Sequence, residues 1–209
     1  MEPFTTLTAV AAPLLRENID TDAIIPSREM RSVMGTGLDE GLFAGWRYTA
    51  IGNREPDPEF VLNQPRYAGA RILVTGANVG CGSSREHAVW ALAQFGFRVV
   101  IAPSFNPIFR NNCIANGLVP AALPEDVVRA IGEALENAET PVLTVDLASQ
   151  QVSLPQGRAW SFEIRPDARE SLLNGLDPID QTLLLKPAIE GFRADDRQRR
   201  PWVYSSVDR

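Results

Sequence analysis

The residues best equipped for chemistry lie in one stretch, Gly76 to Trp90, reading GANVGCGSSREHAVW. Gly80 and Gly82 allow tight turns and close approach of another molecule to the backbone. Ser83 and Ser84 place two hydroxyls where a helix is predicted to open, and free N–H groups at a helix start favour an anion. Arg85 adds a fixed fork of donors suited to a carboxylate. Together these make a carboxylate cradle with a hydroxyl at its centre. The same letters also spell Ser83-x-x-Glu86, a capping box that needs no function at all.

Other chemistries for this stretch fail on spacing. A Walker loop ends in Gly-Lys-Ser/Thr, and no lysine is near. A dinucleotide fingerprint needs glycine where Arg85 stands. A nucleophile elbow needs glycines flanking the serine at G-x-S-x-G spacing. His87 is the one histidine and sits within the predicted helix, where a structural hydrogen-bonding role is expected. Cys81 is expected to be a packed thiol and Cys113 a core residue. Their separation matches no metal-ligand spacing or disulfide framework. The chain is therefore expected to bind no metal or cofactor itself.

The elements around the cradle can be read from periodicity. Phe4–Ala11 alternates like a strand, and Asn18–Pro26 reads as a loop. A glycine-punctuated excursion follows, carrying Phe43, Trp46 and Tyr48, residues suited equally to core packing and to an interface. Arg71–Thr75 and Arg98–Ala102 are short buried strands. Arg85–Phe95 and Ser104–Asn116 are helices closed by Gly96 and Gly117. Leu118–Leu123 is a third strand and Pro124–Asn137 a third helix. Strand–helix–strand alternation implies right-handed parallel crossovers. Val142–Leu147, Gln151–Leu154 and Trp160–Ile164 then form a β-meander. Short helices around Ala168–Leu173 and Ile179–Ile189 precede a charged tail, expected to be extended from about Asp195. The fold class is α/β: a parallel strand–helix core with added β-hairpins, one domain over residues 1–209.

The chain has 209 residues, 44% hydrophobic, with a net charge of −6. That length suffices for a buried core without disulfides. The acidic balance argues against nucleic acid, which needs a basic footprint, and against an anionic membrane surface. No segment reads as a signal peptide or membrane span. A cytoplasmic protein is expected.

The strings GCGSSREHA and IAPSFNPIFRNNCIANGLVP closely resemble the swivel domain of the aconitase superfamily, in particular its 3-isopropylmalate dehydratase small-subunit family. NIDTDAIIP at Asn18–Pro26, FVLNQPRYAGARILV at Phe60–Val74 and GLDPIDQTLL at Gly175–Leu184 extend the likeness over most of the chain. The resemblance implies a swivelling β/β/α domain and a hydro-lyase that isomerises 2-isopropylmalate to 3-isopropylmalate through isopropylmaleate. It implies a large-subunit partner in a hetero-oligomer, carrying a [4Fe–4S] cluster as Lewis acid. By motif position Ser83 would be the base. Arg85, Ser84, Gly82, Thr21, Asp22 and Arg31 would bind a small 2-hydroxy diacid. Many members carry Pro-Lys-Gln-Phe-Leu-Lys where this chain has Pro26-Ser27-Arg28-Glu29-Met30-Arg31. Related hydro-lyases of citraconate or methylated malate, and a non-enzymatic anion-binding module, are therefore rival readings. RNA binding is disfavoured by the acidic balance.

Overall fold

A computed structural model describes residues 1–30 and 36–204. By contacts the chain divides into two compact units, Met1–Gly175 and Leu176–Arg209.

The first unit is built on a seven-stranded sheet of order β4-β3-β2-β1-β5-β6-β7. Its strands are β1 (Thr6–Leu14), β2 (Ile72–Thr75), β3 (Val99–Ala102), β4 (Val119–Ala122), β5 (Val142–Asp146), β6 (Gln151–Ser153) and β7 (Ala159–Ser161). Strand β1 is the seam. Thr6 to Val10 pair antiparallel with β5, and Ala11 to Leu14 pair parallel with β2. Its exposure changes with its partner. The antiparallel half keeps exposed positions, while Ala11 to Leu14 are all buried, as expected of a parallel strand covered on both faces. Pro13 fits this central strand for a geometric reason. The Ala11 N–H donates to the Pro141 carbonyl on the β5 side. Alternation then turns the Pro13 nitrogen to the same side, beyond the β5 ladder, where no donor is required.

Helices α3 (Glu86–Phe95), α4 (Pro107–Ala115) and α5 (Glu125–Asn137) connect or follow the parallel strands, and α6 (Pro166–Asn174) follows the meander. Alternate strand residues face opposite layers. Ala12, Leu73 and Val100 pack with Ala88, Val89 and Leu92 of α3 and with Phe109 and Cys113 of α4. Ala11, Ile72, Val74 and Ile101 pack with Val128, Ile131 and Leu135 of α5 and with Leu172 of α6. The predicted parallel core and meander are both present.

Smaller elements depart from the sequence reading. The Asn18–Pro26 loop contains a helical turn, α1 (Thr21–Ile24), because Asp20 Oδ1 accepts from the Ala23 N–H at 2.6 Å. A second short turn, α2 (Ala44–Arg47), lies in the glycine-rich excursion. Phe43, just before it, is fully buried and stacks on Trp46 at 5.7 Å, so core packing accounts for Phe43.

In the second unit one predicted helix is two, α7 (Pro178–Leu184) and α8 (Lys186–Arg199). Pro187 stands in the first turn of α8 and cannot lie in a helix interior without losing a hydrogen bond. The segment from Asp195, expected to be extended, remains helical to Arg199. Asp196 accepts from Arg200 Nε at 2.6 Å and from the Tyr204 hydroxyl at 2.8 Å, which closes that end.

Candidate active site

Three loops leave the carboxyl ends of β1, β2 and β3 and continue the sheet's pairing as a narrow ledge. The Asn18 N–H donates to Ala77 O at 2.8 Å, the Gly80 N–H to Ile19 O at 2.7 Å, and the Thr21 N–H to Cys81 O at 3.0 Å. On the other side the Asn106 N–H donates to Val79 O at 2.8 Å. Carboxyl ends of parallel strands are where open α/β sheets bind ligands. This ledge presents the Gly82–Arg85 segment.

Two glycines of the ledge are required by geometry. Gly80 has φ +74°, and a Cβ there would overlap the Phe109 ring of α4. Gly82 has φ +85°, with a Cβ position 3.4 Å from Asp20 Cβ. Both lie in the left-handed region that side chains disfavour.

The capping box is absent. Helix α3 begins at Glu86, its N-cap is Arg85, and no side chain caps it. Ser83, in a bend, and Ser84, outside any regular element, precede the helix, and both are exposed. Glu86, expected as the cap partner, instead accepts from Asn116 Nδ2 at 2.9 Å. Among the described residues none hydrogen-bonds the Ser83 hydroxyl. Its backbone, by contrast, is held: the Thr21 hydroxyl donates to Ser83 O at 2.9 Å. Thr21 is only 2% exposed, so it contacts Ser83 from beneath.

Arg85 forms an ion pair with Asp22 through Nη1. The Arg85 side chain is 23% exposed and Asp22 54%, so the pair adds little stability; its effect is to orient the guanidinium. Nε and Nη2 of Arg85 have no partner among the described residues. They form one edge of the fork, the geometry that a carboxylate matches with two bonds. The uncapped first turn of α3 adds outward-pointing N–H groups to the same region. Arg31 lies outside the described residues. Thr21, Asp22, Gly82, Ser83, Ser84 and Arg85 are thus brought together from two separate loops.

Among the described residues His87 shows no hydrogen bond of the expected kind; its ring packs against Trp90 at 4.9 Å. Cys81 is half-buried and pairs through its backbone with Asp20. Cys113 is fully buried, and burial pushes its thiol pKa well above the ordinary value. An iron–sulfur ligand must be a thiolate. Among the described residues no group of three or more His, Cys, Asp and Glu side chains could hold a metal ion. These residues do not fit a [4Fe–4S] cluster. A cavity of about 710 Å³ opens elsewhere, among Pro103, Arg110, Leu123, Pro124, Glu163 and Arg165, and Ser83 does not line it. Asp20, Asn106 and Asn116 were not singled out from the sequence. Asp20 and Asn106 do carry a signal, an acceptor side chain just before a helical turn.

A β1–β2–β3 ledge carrying G-x-G-S-S-R before an uncapped helix defines a swivel domain of the aconitase class. The aconitase C-terminal domain family model matches residues 1–126, and the LeuD_N model matches 133–166. The chain belongs to the 3-isopropylmalate dehydratase small-subunit family. It is 57% identical over 205 residues to a 3-isopropylmalate dehydratase small subunit of Cupriavidus necator, covering 98% of this chain and 99% of that one. It is 50% identical over 203 residues to the same subunit of Rhodospirillum centenum, covering 97% and 99%. Its fold is similar to the crystal structure of 3-isopropylmalate dehydratase (leuD) from Methanocaldococcus jannaschii. That match has a TM-score of 0.63 at 26% identity and covers 90% of this chain and 99% of the other.

Proposed function

We propose that this chain is the small subunit of a hydro-lyase that converts 2-isopropylmalate to 3-isopropylmalate through isopropylmaleate, in leucine biosynthesis. Family membership over nearly the whole length supports the reaction. The observation that carries the site assignment is an exposed Ser83 hydroxyl, without a hydrogen-bond partner among the described residues, on a clamped backbone beside an oriented Arg85.

In this reading Ser83, as its alkoxide, removes the proton from the carbon that bears a substrate carboxylate, and hydroxide leaves the neighbouring carbon. Rehydration with the opposite regiochemistry returns that proton and completes the isomerisation. An isolated serine is too weak an acid for the role. The positive end of α3 and the Arg85 charge both favour the anion. The free edge of Arg85 holds one substrate carboxylate, and Ser84 and the Gly82 backbone line the site. Thr21 fixes Ser83, and Asp22 orients Arg85. Arg31 is assigned to the second carboxylate on motif position alone.

Departure of hydroxide needs an acid. In this reading a [4Fe–4S] cluster on a large-subunit partner supplies it as a Lewis acid. The exposure of Gly82, Ser83 and Ser84 supports such a partner, because a proton abstraction of this kind needs water excluded. Among the described residues no helix is long and apolar enough to cross a membrane. A cytoplasmic setting belongs to the same reading, supported by two free cysteines.

The test is anaerobic turnover of 2-isopropylmalate and of citraconate by this chain, by its cluster-loaded large subunit, and by the mixture. Activity confined to the mixture and to 2-isopropylmalate is expected. A preference for citraconate would reassign the substrate. Dicarboxylate binding by this chain without turnover in any mixture would favour the binding module.

A further inference from the structure

We infer that α4 splints the Ser83 loop and that Asn116, at its far end, is a positioning residue for the reaction. The inference rests on the hydro-lyase reading above, but its geometry does not.

The loop from Val79 to Glu86 meets α4 at three points. At the helix start, Asn106 caps α4, its Oδ1 accepting from the Ile108 and Phe109 N–H groups. The N–H of the same residue donates to Val79 O. One turn in, the Phe109 ring fills the space above Gly80. At the helix end stands Asn116, whose side chain is fully committed. Nδ2 donates to Glu86 Oε1 and to Asn112 O, both at 2.9 Å. Oδ1 accepts from Trp90 Nε1 at 3.0 Å. Glu86 is the first residue of α3 and directly follows Arg85.

Asn116 therefore ties the first two turns of α3 to the end of α4. Thr21 holds the segment Ser83–Arg85 from its upstream side, and Asn116 holds it from downstream. No cap replaces Asn116 at the start of α3. Without it, Glu86 and Trp90 lose a shared partner, and the start of α3 is free to shift. Shifts of about 1 Å at a reacting group cost on the order of a hundredfold in rate. Asn116 acts through Glu86, well removed from the reacting atoms, and reaches no substrate group itself.

The experiment uses the assembled two-subunit enzyme with four substitutions. Asn116→Ala removes the clamp. Asn116→Asp sets a carboxylate against Glu86. Glu86→Gln keeps an acceptor for Asn116. The double variant Asn116→Asp with Glu86→Gln re-forms the contact with donor and acceptor exchanged. We expect kcat to fall roughly ten- to a hundredfold in both single Asn116 variants with KM little changed. Glu86→Gln should stay close to wild type, and the double variant should recover most of the loss. Amide hydrogen exchange of this chain is followed over Ser83–His87 in parallel and should quicken in Asn116→Ala. Unchanged kcat in Asn116→Ala, or no recovery in the double variant, overturns the inference. If the wild-type mixture itself shows no turnover, the hydro-lyase reading fails. Exchange at Ser83–His87 then decides the splint alone, and an unchanged rate overturns it.

Discussion

The Thr21 hydroxyl donates to the Ser83 carbonyl at 2.9 Å, joining two loops 62 residues apart in the chain. A buried hydroxyl thereby sets the height at which Ser83 stands on the ledge. Thr21→Val keeps the shape and removes the donor. Loss of one such bond costs about 1 kcal/mol of stability, and kcat should fall while KM changes less. Thr21→Ser should restore kcat. Steady-state kinetics of the three forms, with thermal melts, check the assignment; a Val variant with normal kcat would remove Thr21 from the site.

Ser83→Ala should abolish turnover and leave folding almost untouched. The side chain caps no helix, so the stability change should lie within about 0.5 kcal/mol, as for ordinary surface positions. Denaturant melts and turnover on the same preparation check both halves. Retained turnover would sink Ser83 as the base.

Gly80→Ala should be the most damaging single-methyl addition on the ledge. The new Cβ meets the Phe109 ring in a backbone conformation, φ +74°, that alanine disfavours. Overpacking of this kind costs about 1–3 kcal/mol, with backbone strain added. A urea midpoint equal to wild type would show that the ring yields freely.

Stability at acid pH should depend on Asp146. The Ser149 N–H is the largest influence holding its carboxyl below the ordinary range, followed by the Thr6 hydroxyl. A depressed folded pKa stabilises the protein above the unfolded value, near 4, and that contribution is lost as pH falls through the folded value. Asp146→Asn should therefore be less stable than wild type at pH 7, and the gap should narrow in acid. A gap independent of pH would assign the loss to packing.

Legibility from sequence followed the range of the forces involved. Buried runs such as Ile72–Thr75 and Val99–Ala102, and stops such as Gly96 and Gly117, are local signals: the two strands and both helix ends formed within a residue of their expected bounds, while α4 opens at Pro107, three residues after the expected Ser104. The Gly82–Arg85 segment stood out in the sequence because glycines, hydroxyls and an arginine stand together, and the fold places it on the exposed ledge. The capping box misled because a local pattern lost to a distant partner: Asn116 engages Glu86 across 30 residues. Thr21 is buried and donates to the Ser83 carbonyl, 62 residues away in the chain. Neither relationship has a period or a spacing, so neither could be read before the fold was known.

The divided pairing of β1 orders events during synthesis. Thr6 at one end is partnered by Asp146, and Leu14 at the other by Thr75. A nascent chain that has delivered β2 can join the parallel half, yet the antiparallel half waits until β5 has left the ribosome. Contacts of such sequence separation form late and slowly. Until then the amino-terminal half of β1 is an open edge, and edges of this kind invite pairing with other chains. Chaperone demand during translation should therefore be greatest between the emergence of β2 and the emergence of β5, and should fall once β5 closes the edge.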